Sequence, residues 1–161
     1  MRRLIRSALF VPASKPRAIE KAAHVGADLL ILDLEDAVGP EEKDEARARV
    51  GEALDSWSAS GAIRAVRINA ADTAWNAADM REAARADAIV LPKVNQVGDL
   101  HAARSALSTH GTSIPIWAMV ETPLGVMNLN GIASATGTGL AGLIAGTNDL
   151  AKELRCAAEQ A

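Results

Sequence analysis

Short apolar runs alternate with longer mixed segments along the whole chain. Ser7 to Val11 (Ser-Ala-Leu-Phe-Val) reads as a first strand, closed by Pro12. Ser14 and Pro16 suit the start of a helix running from about Arg17 to His24 and stopping at Gly26. Leu29 to Leu32 predicts a second strand, ending in the acids Asp33, Glu35 and Asp36. Gly39-Pro40 breaks the chain, and Glu41-Glu42 opens a long helix to about Ser58, its acids at the favourable end of the dipole. A third strand spans Ala65 to Ile68, and Asp72-Thr73 caps a helix to about Arg85. Ala88 to Leu91 gives a fourth strand, and Gly98-Asp99 precedes a helix ended by Gly111. Ile116 to Val120 is the fifth strand, with a short helix from Gly125 to about Ser134. Leu140 to Ala145 is the sixth, with a further helix from Ala151.

Strand and helix thus alternate through six units, the rhythm of parallel strands joined by right-handed crossovers. An open doubly wound sheet and a β/α barrel both have it. No Gly-x-Gly-x-x-Gly follows the first strand and no Walker motif is present, which disfavours nucleotide-binding open sheets. Polar residues collect at the C-terminal tips of several strands, where a barrel builds its active site. The expected fold class is therefore α/β, a TIM (β/α)8 barrel of which residues 1–161 supply about six strand–helix units in one partial domain. A whole barrel takes about 250 residues, so the C-terminal part is expected to be missing.

Two strand tips carry the first candidate chemistry. The fifth strand ends at Glu121, and Gly146-Thr147-Asn148-Asp149 follows the sixth. Carboxylates on adjacent tips can hold one hard cation such as Mg²⁺, with water and substrate oxygens completing its shell. The competing reading is that each acid caps the helix after it. Asp33, Glu35 and Asp36 cannot all ionise in a dry site without cations, so Arg67, Lys15, Lys93 or water must meet them.

Composition narrows the class further. With 49% hydrophobic and 23% charged residues and a net charge of −3, a globular chain is expected, with no electrostatic reason for nucleic acid. Three tryptophans, one phenylalanine and no tyrosine make stacking platforms unexpected. Met1-Arg2-Arg3 leads into too short an apolar stretch for a signal or a membrane span, so no membrane partner and a cytoplasmic location are expected. The single cysteine, Cys156, placed in the last helix, excludes an internal disulfide. His24, His101 and His110 fall in helices, away from strand tips.

Six motifs in order, Ser7-Ala-Leu-Phe-Val-Pro-Ala, Asp33-Leu-Glu-Asp-Ala-Val, Arg67-Ile-Asn, Leu91-Pro-Lys-Val, Glu121-Thr-Pro and Gly146-Thr-Asn-Asp-Leu, resemble those of citrate lyase β-subunit-like proteins. That group includes the malyl-CoA lyases within the HpcH/HpaI aldolases. The resemblance implies an Mg²⁺-dependent (or Mn²⁺-dependent) carbon–carbon lyase of aldolase or Claisen type. It would cleave a citryl-CoA or malyl-CoA type thioester to acetyl-CoA and a 2-oxoacid, with CoA as part of the substrate. It also implies a homo-oligomer, trimer or hexamer. Glu121 and Asp149 become the metal ligands, with Glu121 also at the substrate. Arg67 becomes the catalytic and substrate-binding arginine, a two-pronged partner for a carboxylate. Glu35 and Asp36 support catalysis through hydrogen bonds to metal-bound water and to the arginine. Lys15 matches a basic residue near the CoA phosphates or the substrate. The related class II pyruvate aldolases carry a histidine after the acid of the second-strand motif. Here the residues are Glu35-Asp36, which favours the thioester branch. A thioesterase of the same family and a non-catalytic metal- or acyl-CoA-binding partner are the alternatives.

Overall fold

A computed structural model describes residues 4–156. The chain divides into two compact units, Met1–Val90 and Leu91–Ala161.

The first unit is built on β1 (Ala8–Pro12), β2 (Leu29–Asp33), β3 (Ile63–Arg67) and β4 (Ala88–Leu91), each parallel to the next, with β4 reaching the boundary. Every residue of β2 is buried, which is why its sequence is a continuous apolar run rather than an alternating one. Each fully buried leucine or isoleucine there stabilises the fold by roughly 1.5–3 kcal/mol. The register places Pro12 beside Asp33, and Asp33 beside Arg67. One charged pair therefore sits at one level of the sheet. α1 (Pro16–Ala22), α2 (Lys43–Ala48), α3 (Val50–Ser56) and α4 (Asn76–Ala83) lie between them in the chain. The buried Trp57, just past α3, donates its indole N–H to the Ile19 carbonyl of α1 at 2.8 Å.

The second unit holds α5 (Val97–Thr109), β5 (Ile116–Val120), α6 (Pro123–Met127), α7 (Leu129–Ala133), β6 (Leu140–Ala145) and α8 (Thr147–Leu154). β5 and β6 are parallel, with an irregularity at Ile116/Trp117 and Val120 opposite Ala145. Gly142 lets the Trp117 ring lie against β6, where a Cβ would collide with it.

Several boundaries differ from the sequence expectation. Ser14 does not cap α1; Lys15 holds that position without a side-chain cap, and Ser14 is buried. The long helix expected to Ser58 is a 3-10 turn (Pro40–Glu42) followed by α2 and α3, parted at Arg49. Asp72-Thr73 caps nothing: the Thr73 hydroxyl turns back to the Ala70 carbonyl at 2.7 Å, and α4 starts only at Asn76. Gln96 with Asp99, not Gly98-Asp99, forms the capping box of α5. The short helix after β5 begins at Pro123 rather than Gly125 and is two helices. α8 begins at Thr147 rather than Ala151, which leaves Cys156 beyond the helix. Among the described residues no helix is long and apolar enough to cross a membrane.

Candidate functional site

In the first unit the acids after β2 close on the arginine at the end of β3. Arg67 donates from Nε to Asp33 Oδ1 at 2.8 Å and from Nη2 to Asp33 Oδ2 at 2.5 Å, the fork geometry that only arginine provides. Its Nη1 lies 3.0 Å from Glu35 Oε2 and 3.4 Å from Asp36 Oδ2. Arg67, Asp33 and Glu35 are buried, whereas the Asp36 side chain is 55% exposed. Burial opposes the Arg67 charge, but the hydrogen bond with Asp33 and the nearby Glu35 and Asp36 outweigh it and raise the pKa. The Arg67 guanidinium also lies over the Phe10 ring, 5.1 Å from its centre. The acids that the sequence could not leave uncompensated are thus met by Arg67.

The turn that carries them is also held by a cation that the sequence reading passed over. Lys43, at the start of α2, is buried and donates to the carbonyls of Leu34 and Glu35 and to Asn69 Oδ1, all at 2.7 Å. Burial pushes its pKa down, against the pull of Asp79, Asp33, Glu35 and Asp36. Nothing in Glu42-Lys-Asp-Glu marks this lysine as interior, because its environment comes from the turn after β2 and the residues past β3. Lys15 is exposed, with Nζ 3.9 Å from Glu42 Oε1.

In the second unit, Glu121 follows β5 and is 1% exposed. It does not cap the next helix. That role belongs to Thr122, whose hydroxyl accepts from Gly125 N at 3.0 Å. Glu121 Oε1 instead accepts from the Lys93 backbone N–H at 2.8 Å. Gly146 N donates to the Val120 carbonyl at 3.0 Å, so the two strand ends are joined just before the acid. A Cβ on Gly146 would collide with the Glu121 side chain, including Oε2. Glycine here makes room for a carboxylate. Asp149 is partly buried in the first turn of α8, whose cap position is held by Gly146 without a side-chain bond. Its charge there also suits the helix dipole. The three histidines are exposed, and Cys156 is exposed with a free thiol.

A family model described as HpcH/HpaI aldolase/citrate lyase matches residues 6–161. The chain belongs to that family. A (3S)-malyl-CoA thioesterase of Cereibacter sphaeroides is 44% identical over 151 residues, covering 92% of this chain and 51% of that protein. An L-malyl-CoA/β-methylmalyl-CoA lyase of Rhodobacter capsulatus is 34% identical over 145 residues, covering 83% of this chain and 46% of that one. The chain therefore spans about half the length of these family members. Among solved structures, the citrate lyase β subunit of M. tuberculosis complexed with oxaloacetate and magnesium matches with a TM-score of 0.74 at 30% identity. It covers 96% of this chain and 63% of that one. The expected α/β class, with the strand–helix order of the citrate lyase β barrel, holds for this family member over its six strands.

The family's magnesium can be tested against the residues present. Mg²⁺ takes oxygen donors, binds through one or two carboxylates and keeps several waters. Glu121 and Asp149 bring carboxylate oxygens only. Among the described residues no group of three or more His, Cys, Asp or Glu side chains could hold a metal. Carboxylate oxygens are the donors that magnesium takes, whereas structural zinc sites draw mainly on cysteine and histidine.

Proposed function

We propose that the protein acts on a malyl-CoA type thioester and hydrolyses it, with magnesium held by Glu121 and Asp149. What supports hydrolysis most is the likeness to the malyl-CoA thioesterase, higher than the likeness to the malyl-CoA lyase. The carbon–carbon lyase put first by the sequence reading becomes the second choice. It is kept because the family includes lyases.

In this reading water adds to the thioester carbonyl, the C–S bond breaks, and the thiolate leaves as CoA after taking a proton. Malate is the other product. A cation held by Glu121 and Asp149 would supply Lewis-acid stabilisation of developing negative charge. Glu121, fixed by the Lys93 N–H, presents its carboxylate in one orientation, and Asp149 adds the second. Arg67, whose two-pronged face is taken by Asp33, attracts a substrate carboxylate by its charge, and the acids at the end of β2 keep its guanidinium oriented. Glu35 and Asp36 hold the arginine and order nearby water. Lys15, exposed on the loop after β1, is suited to the phosphates of CoA. The chain serves as one part of a barrel domain within a homo-oligomer of a cytoplasmic enzyme.

The test is to incubate the protein with malyl-CoA and Mg²⁺ and follow free thiol and acetyl-CoA together. Free thiol without acetyl-CoA is expected. Acetyl-CoA with glyoxylate would replace the reading by the lyase. Stabilisation by the ligand with neither product would leave a binding protein.

A further inference from the structure

A buried lysine carries the inference furthest. An ammonium has three N–H donors, and those of Lys43 are all used, on Leu34 O, Glu35 O and Asn69 Oδ1 at 2.7 Å each. Two of these acceptors are consecutive carbonyls of the turn that carries Glu35 and Asp36. The third, Asn69, is itself fixed. Its backbone N–H and its Nδ2 both donate to Asp79 Oδ2, at 2.9 and 2.6 Å, and its Nδ2 also reaches Leu34 O at 2.9 Å. Asp79, fully buried, accepts from Arg47 Nε at 2.7 Å. The Trp75 ring lies over the ammonium, 5.3 Å from Nζ to its centre.

The other side of the same turn is held by Asp33. Its Oδ1 accepts from the Glu35 backbone N–H at 2.8 Å and from Arg67 Nε at 2.8 Å. One carboxylate oxygen thus ties the turn to the arginine, and one ammonium ties the turn to the frame behind it. We propose that Lys43 is a positioning residue for Arg67, acting through the Leu34–Glu35 peptide to set where Glu35 and Asp36 meet the guanidinium. This rests on the reading of Arg67 as the carboxylate-binding residue only for its functional consequence.

The chemistry predicts where the effect falls. In Lys43→Met, Leu34 O keeps its bond from Asn69 Nδ2 and Glu35 O its bond from the Val38 N–H at 3.1 Å, but both carbonyls lose the charged donor that ties them together. Hydrogen bonds from a charged donor are the stronger ones, so without them the turn is held less firmly and moves. Glu35 then shifts away from Arg67 Nη1. A lysine that only stabilises the fold would loosen all parts of the unit alike.

The experiment uses arginine side-chain ¹⁵N NMR with two reporters. Arg67 Nε–H is bonded to Asp33, and Arg64 Nε–H is bonded to Asp87 at 2.8 Å, away from the lysine network. In Lys43→Met, exchange of Arg67 Nε–H is expected to accelerate about tenfold relative to Arg64, the weight of a charged hydrogen bond. Lys43→Arg keeps the charge but cannot bring three bonds from one nitrogen, and it should shift the same resonance if the methionine variant does not fold. Arg67 and Arg64 changing in step in the variant that folds would overturn the proposal. Titration with malate separates the two claims. Weaker malate binding in the variants, about tenfold, supports positioning for function. If the native protein does not bind malate while Arg67 still responds, positioning stands and the carboxylate-binding role falls.

Discussion

The backbone N–H of Lys93 donates to Glu121 Oε1 at 2.8 Å while Lys93 itself sits in the left-handed region, at φ 52°. A non-glycine residue there is uncommon and costs on the order of 1 kcal/mol. The bond places a peptide dipole on the carboxylate proposed to hold the metal. Strain in the loop after β4 and orientation of Glu121 are therefore linked.

That link predicts opposite results for two substitutions. Lys93→Gly adopts the conformation without strain and should keep both stability and Mn²⁺ affinity. Lys93→Val cannot adopt it easily, so it should lose about 1–3 kcal/mol of stability and bind Mn²⁺ more weakly. Denaturant unfolding and Mn²⁺ titration check both.

Gly146→Ala tests the space beside Glu121 without changing a proposed ligand. The added Cβ meets the Glu121 side chain, so either the carboxylate or the strand end must shift. A loss of about 1–3 kcal/mol is expected, the usual cost of overpacking. The stabilisation by Mg²⁺ in a melting experiment should shrink with it. An unchanged Mg²⁺ response would place the metal away from Glu121.

Arg67→Lys keeps a charge but not the fork that bonds both oxygens of Asp33. Removing the cation altogether, in Arg67→Ala, leaves buried acids unpaired and should cost about 3–5 kcal/mol. In the lysine variant malate should bind more weakly while the protein remains folded. Equal affinity would make Arg67 a purely structural ion-pair residue.

The Arg64–Asp87 pair contributes to the acid limb of stability. The hydrogen bond from Arg64 holds the Asp87 carboxyl below its ordinary value. A depressed folded-state pKa contributes stability that is present above the unfolded value, near 3.9, and lost as pH falls through the folded one. Asp87→Asn should therefore flatten the decline in unfolding free energy below about pH 4, while lowering stability at neutral pH. Denaturant titrations across pH 2–7 read this directly.

The strands were legible in the sequence wherever a β-branched or apolar run met a breaker. Ile116–Val120, Leu140–Ala145 and Ala88–Leu91 lie where they were expected, because Pro123, Gly146 and Pro92 end runs that no helix period explains. Helix starts were less legible. Thr73 and Ser14 are good caps by residue type, yet Thr73 spends its hydroxyl on a turn and Ser14 is buried. The acids at strand tips could be picked out, since carboxylates after buried strands need a reason. Lys43 could not, because the same Lys-Asp-Glu-Ala-Arg run would suit a solvated helix face. Its role depends on carbonyls brought to it by the turn after β2 and on an asparagine brought by the segment after β3.

Malyl-CoA turnover in ¹⁸O-labelled water, with Mg²⁺ present, tests the central claim most directly. Hydrolysis predicts free CoA and malate carrying one solvent oxygen in its newly formed carboxylate, with the yield collapsing in Glu121→Gln and in Asp149→Asn. Acetyl-CoA and glyoxylate in place of labelled malate would contradict it.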